Sequence, residues 1–418
     1  MNAQPRFAPE LRLAIDGMPV PSALRSNITS VSLQTGLEGV DRVELALANE
    51  GLRWIDHPLF RIDRELSLSM GYAPDLLQQL FVGEIVSHSA SFPSDGMPGF
   101  TVVAQDRRQR MQKGNRARWF AMCIPNLANV PLLDPVIAAG MASTYGLMPI
   151  TDPVGAAMAV LLGGAQVAIA QAQSASDPSD PDKAQKTVRM QVGESDLDFL
   201  ARLARENGWD MSMDHAGPLG GRLIRFGSPA DRLESEVALK YGRDLVDFSP
   251  RISDVGQVAS VRVFVWQPAL QMALAVTVGW DWDRQALTLS IMPVEGAEGA
   301  DAAETAKAAQ ADQPKLLLVN KPVTLADAPR TILGELLPRL NKRHTASGST
   351  VGDPRIRAGS VIQVEGVGER FGGRYRVTSA HHTLDGGGWK TSFECRKDIW
   401  FGAIPLPEQG AVPVRLTI

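Results

Sequence analysis

Cysteine is almost missing from this chain: Cys123 and Cys395 are the two among 418 residues. Two thiols cannot build a disulfide framework or a cysteine zinc site, so cohesion has to come from packing and assembly, and whether these two pair is not readable from the sequence. Nor does one sign of charge dominate. Against 42 Lys and Arg stand 46 Asp and Glu, for a net charge of −4, which excludes a global attraction to nucleic acid or anionic membrane and leaves only local patches open. The six histidines show no HExxH or other ligand spacing. There is no GxSxG elbow, no Walker A loop and no strand-GxGxxG-helix unit, so the common nucleotide and hydrolase folds lose their signatures. No cofactor and no metal are expected. A glycosidase needs only two suitably spaced carboxylates, which any chain with 46 acids contains, and that class stays open.

What is present is ordinary globular material. Hydrophobic residues at 44% and charged residues at 21% exclude a mainly disordered chain, and 418 residues exceed what one core supports. From Leu11 to Gln105 the pattern is two-residue alternation, as in "VELALAN" with Val43, Leu45 and Leu47, broken by Gly, Pro, Asp and Asn. This predicts an antiparallel β domain, and a barrel would cover its edges. Six basic residues then fall in the twelve positions from Arg107 to Arg118, a run that reads more readily as a solvated face than as a phosphate site. A helix is predicted after Pro135, stopping at Gly146.

The run Val154 to Ala172, "VGAAMAVLLGGAQVAIAQA", carries no charge. It has nearly bilayer-spanning length, but Ala and Gly make it weakly apolar, so a buried or oligomer-facing segment is expected rather than stable membrane insertion. Val154, Gly155, Ala156, Leu161, Leu162, Gly163, Gly164 and Ala168 are its candidate assembly residues, the small ones permitting close contact. An exposed linker, 173–186, follows.

Next comes "QVGESDLDFLARLARENGWDMSMD", with Glu194, Asp196 and Asp198 within five positions. Ser195 followed by Asp198 has the form of a helix cap, with the acids at the positive helix end. Leu197, Phe199, Leu200 and Leu203 form a packing face, and Asn207 and Gly208 stop the helix. A calcium loop would need oxygen ligands where Leu and Phe stand. After Gly208 strands return, interrupted by an Ala-rich segment at 295–314 and a helix near 328–343. His381 and His382 are strand neighbours and should face opposite ways.

Three passages together resemble one family: "VRMQVGESDLDFLARLARENGWDM", "LVDFSPRISDVGQVASVRVFVWQP" and the stretch from Gly352 to Asp398 that includes "RYRVTSAHHTL". They are similar to the late control gene D proteins of contractile phage tails, which share a hub fold with the N-terminal part of VgrG proteins of type VI secretion. The resemblance implies a mainly β chain with α insertions (α+β): two related β-barrel, tube-like domains and a smaller inserted α/β region, assembling as a trimeric ring. On that reading residues 1–106 form the first barrel and 107–214 the insertion. Residues 215–394 form the second barrel and 395–418 an extension toward a spike or a neighbouring subunit.

The implied function is structural and non-enzymatic: a baseplate hub of a contractile tail, tailocin or related injection system, linking a sixfold tube to a threefold spike. The implied partners are two further copies in a homotrimer, the tail tube protein, a spike protein and other baseplate proteins, with no specific nucleic-acid binding. No OB-fold or β-helical repeat follows Cys395, so the spike is expected on a separate polypeptide. The N-terminus has no secretory pattern, so synthesis in the cytoplasm and assembly into a phage-tail-like particle or virion are expected. The alternatives are a tail-associated peptidoglycan hydrolase and a membrane-anchored β-domain protein.

Overall fold

The computed structural model describes residues 8–122, 130–150, 189–253, 260–267, 272–281, 286–293, 316–318, 328–399, 401 and 415–416. The protein is mainly β. Its largest element is a 13-stranded sheet whose strands run in the order Leu245–Ile252, His344–Val351, Gly388–Arg396, Gly373–Asp385, Ile28–Gly36, Arg42–Ala48, Gly99–Gln105, Gln78–Ser91, Glu65–Ala73, Ala8–Ile15 and Met18–Pro19. Val361–Glu365 branches from Gly373–Asp385 and carries Val237–Lys240 as a parallel neighbour.

Alternation explains which face of each strand is buried. Val43, Leu45 and Leu47 are at most 2% exposed, and the intervening residues reach the surface. The expected pair of closed barrels is replaced, among the described residues, by one open path that joins the two halves of the chain. The reason lies in the 13-residue strand Gly373–Asp385. It pairs with Val361–Glu365 at one end and, from Ser379 to Leu384, with Ile28–Gly36 of the N-terminal half. Trp389 then packs into the N-terminal core beside Tyr72, their rings 5.3 Å apart.

Three helices pack against the sheets: α1, Asp134–Thr144; α2, Asp196–Asn207; and α3, Ala328–Asn341. Helices α1 and α2 share a core with two small sheets, built around Ile137, Met141, Leu200, Leu203, Trp209 and Phe226. One of these sheets has the order Met148–Ile150, Leu223–Gly227, Asp210–Asp214, and the other Arg189–Glu194, Arg116–Met122, Val130–Pro131. Helix α3 covers a separate five-stranded sheet through Ile332, Leu336 and Leu340 against Val261, Val263 and Val276. No helix among the described residues is long and apolar enough to cross a membrane.

Candidate functional site

The acids around Ser195 have separate partners. Ser195 is the N-cap of α2: its hydroxyl oxygen accepts from Asp198 N–H at 3.1 Å, and its hydroxyl donates to the Asp198 carboxylate at 2.6 Å. Gly208, with φ 66°, ends the helix in the left-handed region. Leu197, Phe199, Leu200 and Leu203 are buried on one face. Asp196 points inward and accepts from Arg118, from Gln191 Nε2 at 2.9 Å and from the Tyr145 hydroxyl at 2.7 Å. Burial opposes ionisation of Asp196, but the hydrogen bonds from Gln191, Tyr145 and Arg118 hold its carboxyl below the usual range. Glu194 instead pairs with Arg202 at 2.6 Å. Three carboxylates turned to three different sets of donors are not a metal site.

A denser cluster lies where the insertion meets the N-terminal sheet. Asp106 ends the strand Gly99–Gln105 and caps the short helical turn Arg107–Gln112 by accepting from Arg108 N–H at 2.7 Å. That turn carries the Arg108 guanidinium back onto the same carboxylate, with Nη2 2.8 Å from Oδ2 and 3.1 Å from Asp41 Oδ1. Asp41 N–H donates to Asp106 at 2.7 Å, and His215 closes the group with Nε2 2.9 Å from Asp41 Oδ2. Val82 N–H donates to His215 Nδ1 at 3.1 Å, so Nε2 is the nitrogen that carries hydrogen and donates to Asp41. Burial disfavours a charged Asp41, yet the Arg108 charge and the His215 hydrogen bond keep its carboxyl low.

Asp41, Asp106 and His215 place three possible ligand atoms within 4.8 Å of one another. They do not fit a metal ion, because Arg108 already supplies the cation and His215 has committed both ring nitrogens. The basic run is accordingly not the solvated face expected from its composition. Arg108 is fully buried, Arg107 and Arg110 pair with Glu65 and Glu84, and Arg116 and Arg118 turn to Asp196.

A second buried group joins the insertion to the C-terminal strands. Arg396 donates to Asp210 at 3.0 Å and to Asp398 at 2.8 Å, while Arg376 donates to Asp398 and to the carbonyl of Arg232 at 2.7 Å. Burial again works against Asp398, and the charges of Arg396 and Arg376 outweigh it. Both groups hold elements together and leave no acid or base free for proton transfer.

Sequence reasoning missed Asp41, Arg108, His215, Asp210 and Arg396. A local signal for part of this was available: Asp106-Arg107-Arg108 and Asp353-Pro354-Arg355 each follow a strand and fold the arginine onto the aspartate two residues earlier. The candidate assembly residues from Val154 to Ala168 lie outside the described residues, as does Cys123. Cys395 is buried and free, its thiol pushed far up by burial. His381 is exposed beside Ser32, and His382 is buried on the other face.

A family model described as the Alg8 N-terminal domain matches residues 168–386, just over half of the 418 residues. None of the curated proteins matches the sequence. Among solved structures, the 43 kDa tail protein of prophage MuSo2 from Shewanella oneidensis has a TM-score of 0.57 at 13% identity, covering 94% of this chain and 99% of that one. A tail protein from Neisseria meningitidis MC58 has a TM-score of 0.55 at 10% identity, with 94% and 98% covered. The E. coli c3393 protein, a type VI secretion component similar in structure to the T4 tail proteins gp27 and gp5, gives 0.50 at 11%, with 96% and 79% covered. At these identities the likeness is one of fold.

Proposed function

The chain belongs to the Alg8 N-terminal domain family and has the fold of phage tail proteins, and from that premise we propose that it is a structural baseplate hub. In this reading it joins the sixfold tube of a contractile phage tail, tailocin or related injection system to a threefold spike. It acts as a homotrimer, contacts the tube and other baseplate proteins, and ends in an assembled particle or virion. The carrying observation is the extent of the fold likeness, 94% of this chain against 99% of the MuSo2 tail protein.

The internal chemistry supports a non-enzymatic role. Asp41, Asp106, Asp196 and Asp398 are all spent on buried arginines, histidine or tyrosine, an arrangement that favours fixed geometry over turnover. The test is to delete the gene from its particle-producing host and image the products. The expected outcome is loss of assembled baseplates, restored by the intact chain, which should copurify as a trimer with tube and spike proteins. Normal particles without the chain, or loss of cell-wall turbidity on adding the purified protein, would overturn the proposal.

A further inference from the structure

The ribbon formed by Arg116–Met122 and Arg189–Glu194 reverses the arrangement of a half-buried sheet. Such a sheet ordinarily turns apolar side chains to the core and polar ones to water. Here Arg116, Arg118 and Gln191 turn inward to Asp196, and Arg189 turns inward to Asp134. The inward aromatic is Phe120, stacked on Phe199 with ring centroids 5.1 Å apart. The register then sets Met190 opposite Trp119 and Val192 opposite Ala117 on the outward face. Trp119 is 66% exposed, Met190 55% and Val192 72%. Inward arginines are tolerable because acids meet them. The outward apolar residues meet nothing comparable among the described residues.

We propose that this outward face is where a second copy of the chain docks, an inference that rests on the homotrimeric reading above. Its size suits a protein interface. With aromatic side chains presenting about 150–250 Å² when fully exposed, the three together offer on the order of 350 Å² of apolar surface. That is roughly half of the ~800 Å² one partner contributes to a standard interface, the share expected of an apolar core inside a polar rim. Charge points to a like chain. The outward positions Ala117, Trp119, Met190 and Val192 carry no charge, so neither sign accumulates there. In a threefold ring the neighbouring copy meets the patch with another part of its own surface, and an uncharged apolar patch fits the apolar core of such a permanent like-chain interface, whereas a strongly acidic or basic partner gains nothing. Docking uses side chains rather than strand addition, because the Arg202 guanidinium already donates to the Met190 carbonyl at 2.8 Å.

The experiment uses the full chain, with a photo-crosslinking amino acid at position 190 and sedimentation of wild type against Trp119→Glu combined with Val192→Glu. The expected results are a cross-link to a second copy and at least tenfold weaker self-association in the double variant, with unchanged far-ultraviolet circular dichroism. If the glutamate pair fails to fold, Trp119→Ser with Val192→Thr makes the same comparison. A wild-type oligomer that the substitutions leave intact, or a cross-link only to another tail protein, overturns this docking face while the hub reading stands. A chain that neither cross-links nor enters particles overturns both.

Discussion

His382 is the residue whose surroundings translate most directly into a measurement. Its Nε2 donates to the Ile356 carbonyl at 2.9 Å, its Nδ1 accepts from Thr391 Oγ1 at 2.9 Å, and Thr391 accepts from Asp353 N–H at 3.1 Å. Burial pushes its pKa down to about 4, against the influence of the Ile356 hydrogen bond and of Asp353. The unfolded chain binds this proton near pH 6.5 and the folded chain only near pH 4, so stability falls as pH drops through that window. The expected loss is roughly 2–4 kcal/mol at the acid end. His344 is also held low by burial and by Lys397, Arg343 and Arg370, and it adds a loss of the same sign. Urea titrations at pH 7 and pH 4.5 should show the fall. His382→Asn should be less stable at pH 7 and respond less to acid, and an unchanged pH response in that variant would show the assignment to be wrong. The opposite facing of His381 and His382 is legible from strand alternation alone. The burial of Arg108 is not: beside five other basic residues it resembles a solvated run, and its partner Asp41 is 67 positions away in sequence.

At the scale of elements, the contact between α2 and α3 depends on two glycines. A Cβ on Gly334 would stand 2.9 Å from the Glu206 Cα and carbonyl oxygen, backbone atoms that cannot swing aside. On Gly208 it would meet the end of the Leu337 side chain at 2.4 Å, which can move, although φ 66° already disfavours a side chain there. Gly334→Ala should therefore push α3 off α2 at a cost of about 1–3 kcal/mol, as overpacked contacts do. The check is hydrogen exchange: protection should fall along Ala328–Asn341 and remain in Gly99–Gln105. Full protection of α3 in the variant would mean that the contact adapts more easily than its geometry implies. The start of α2 is readable because Ser195, the acids of its first turn and the following apolar spacing are all local in sequence. Its close approach to α3 is not, since Gly334 inside an amphipathic pattern marks a close contact without naming the neighbour.

For the whole molecule, the insertion is tied separately to the two halves of the large sheet. The Asp41, Asp106, Arg108 and His215 group holds it to the N-terminal strands, and the Asp210, Arg396, Arg376 and Asp398 group holds it to the C-terminal ones. Periodicity in the sequence shows β material in both halves. It does not show that they share one sheet, because the joining pairs, such as Leu33 with His382, are set by the complete fold rather than by neighbours in the chain. The two ties predict separable responses. His215→Phe removes the hydrogen bonds to Asp41 and Val82 and should reduce exchange protection in Gln78–Ser91 while Gly388–Arg396 keeps its own, with a cost of about 1–3 kcal/mol. Arg396→Met leaves Asp210 only the longer 3.9 Å pairing with Arg376 and should loosen Gly388–Arg396 first. Removing one partner of a buried pair costs about 3–5 kcal/mol, and the lower end applies because Arg376 still reaches Asp398. If both variants lose protection evenly across the two halves, the sheet opens as one cooperative unit and the insertion is not held by two independent ties.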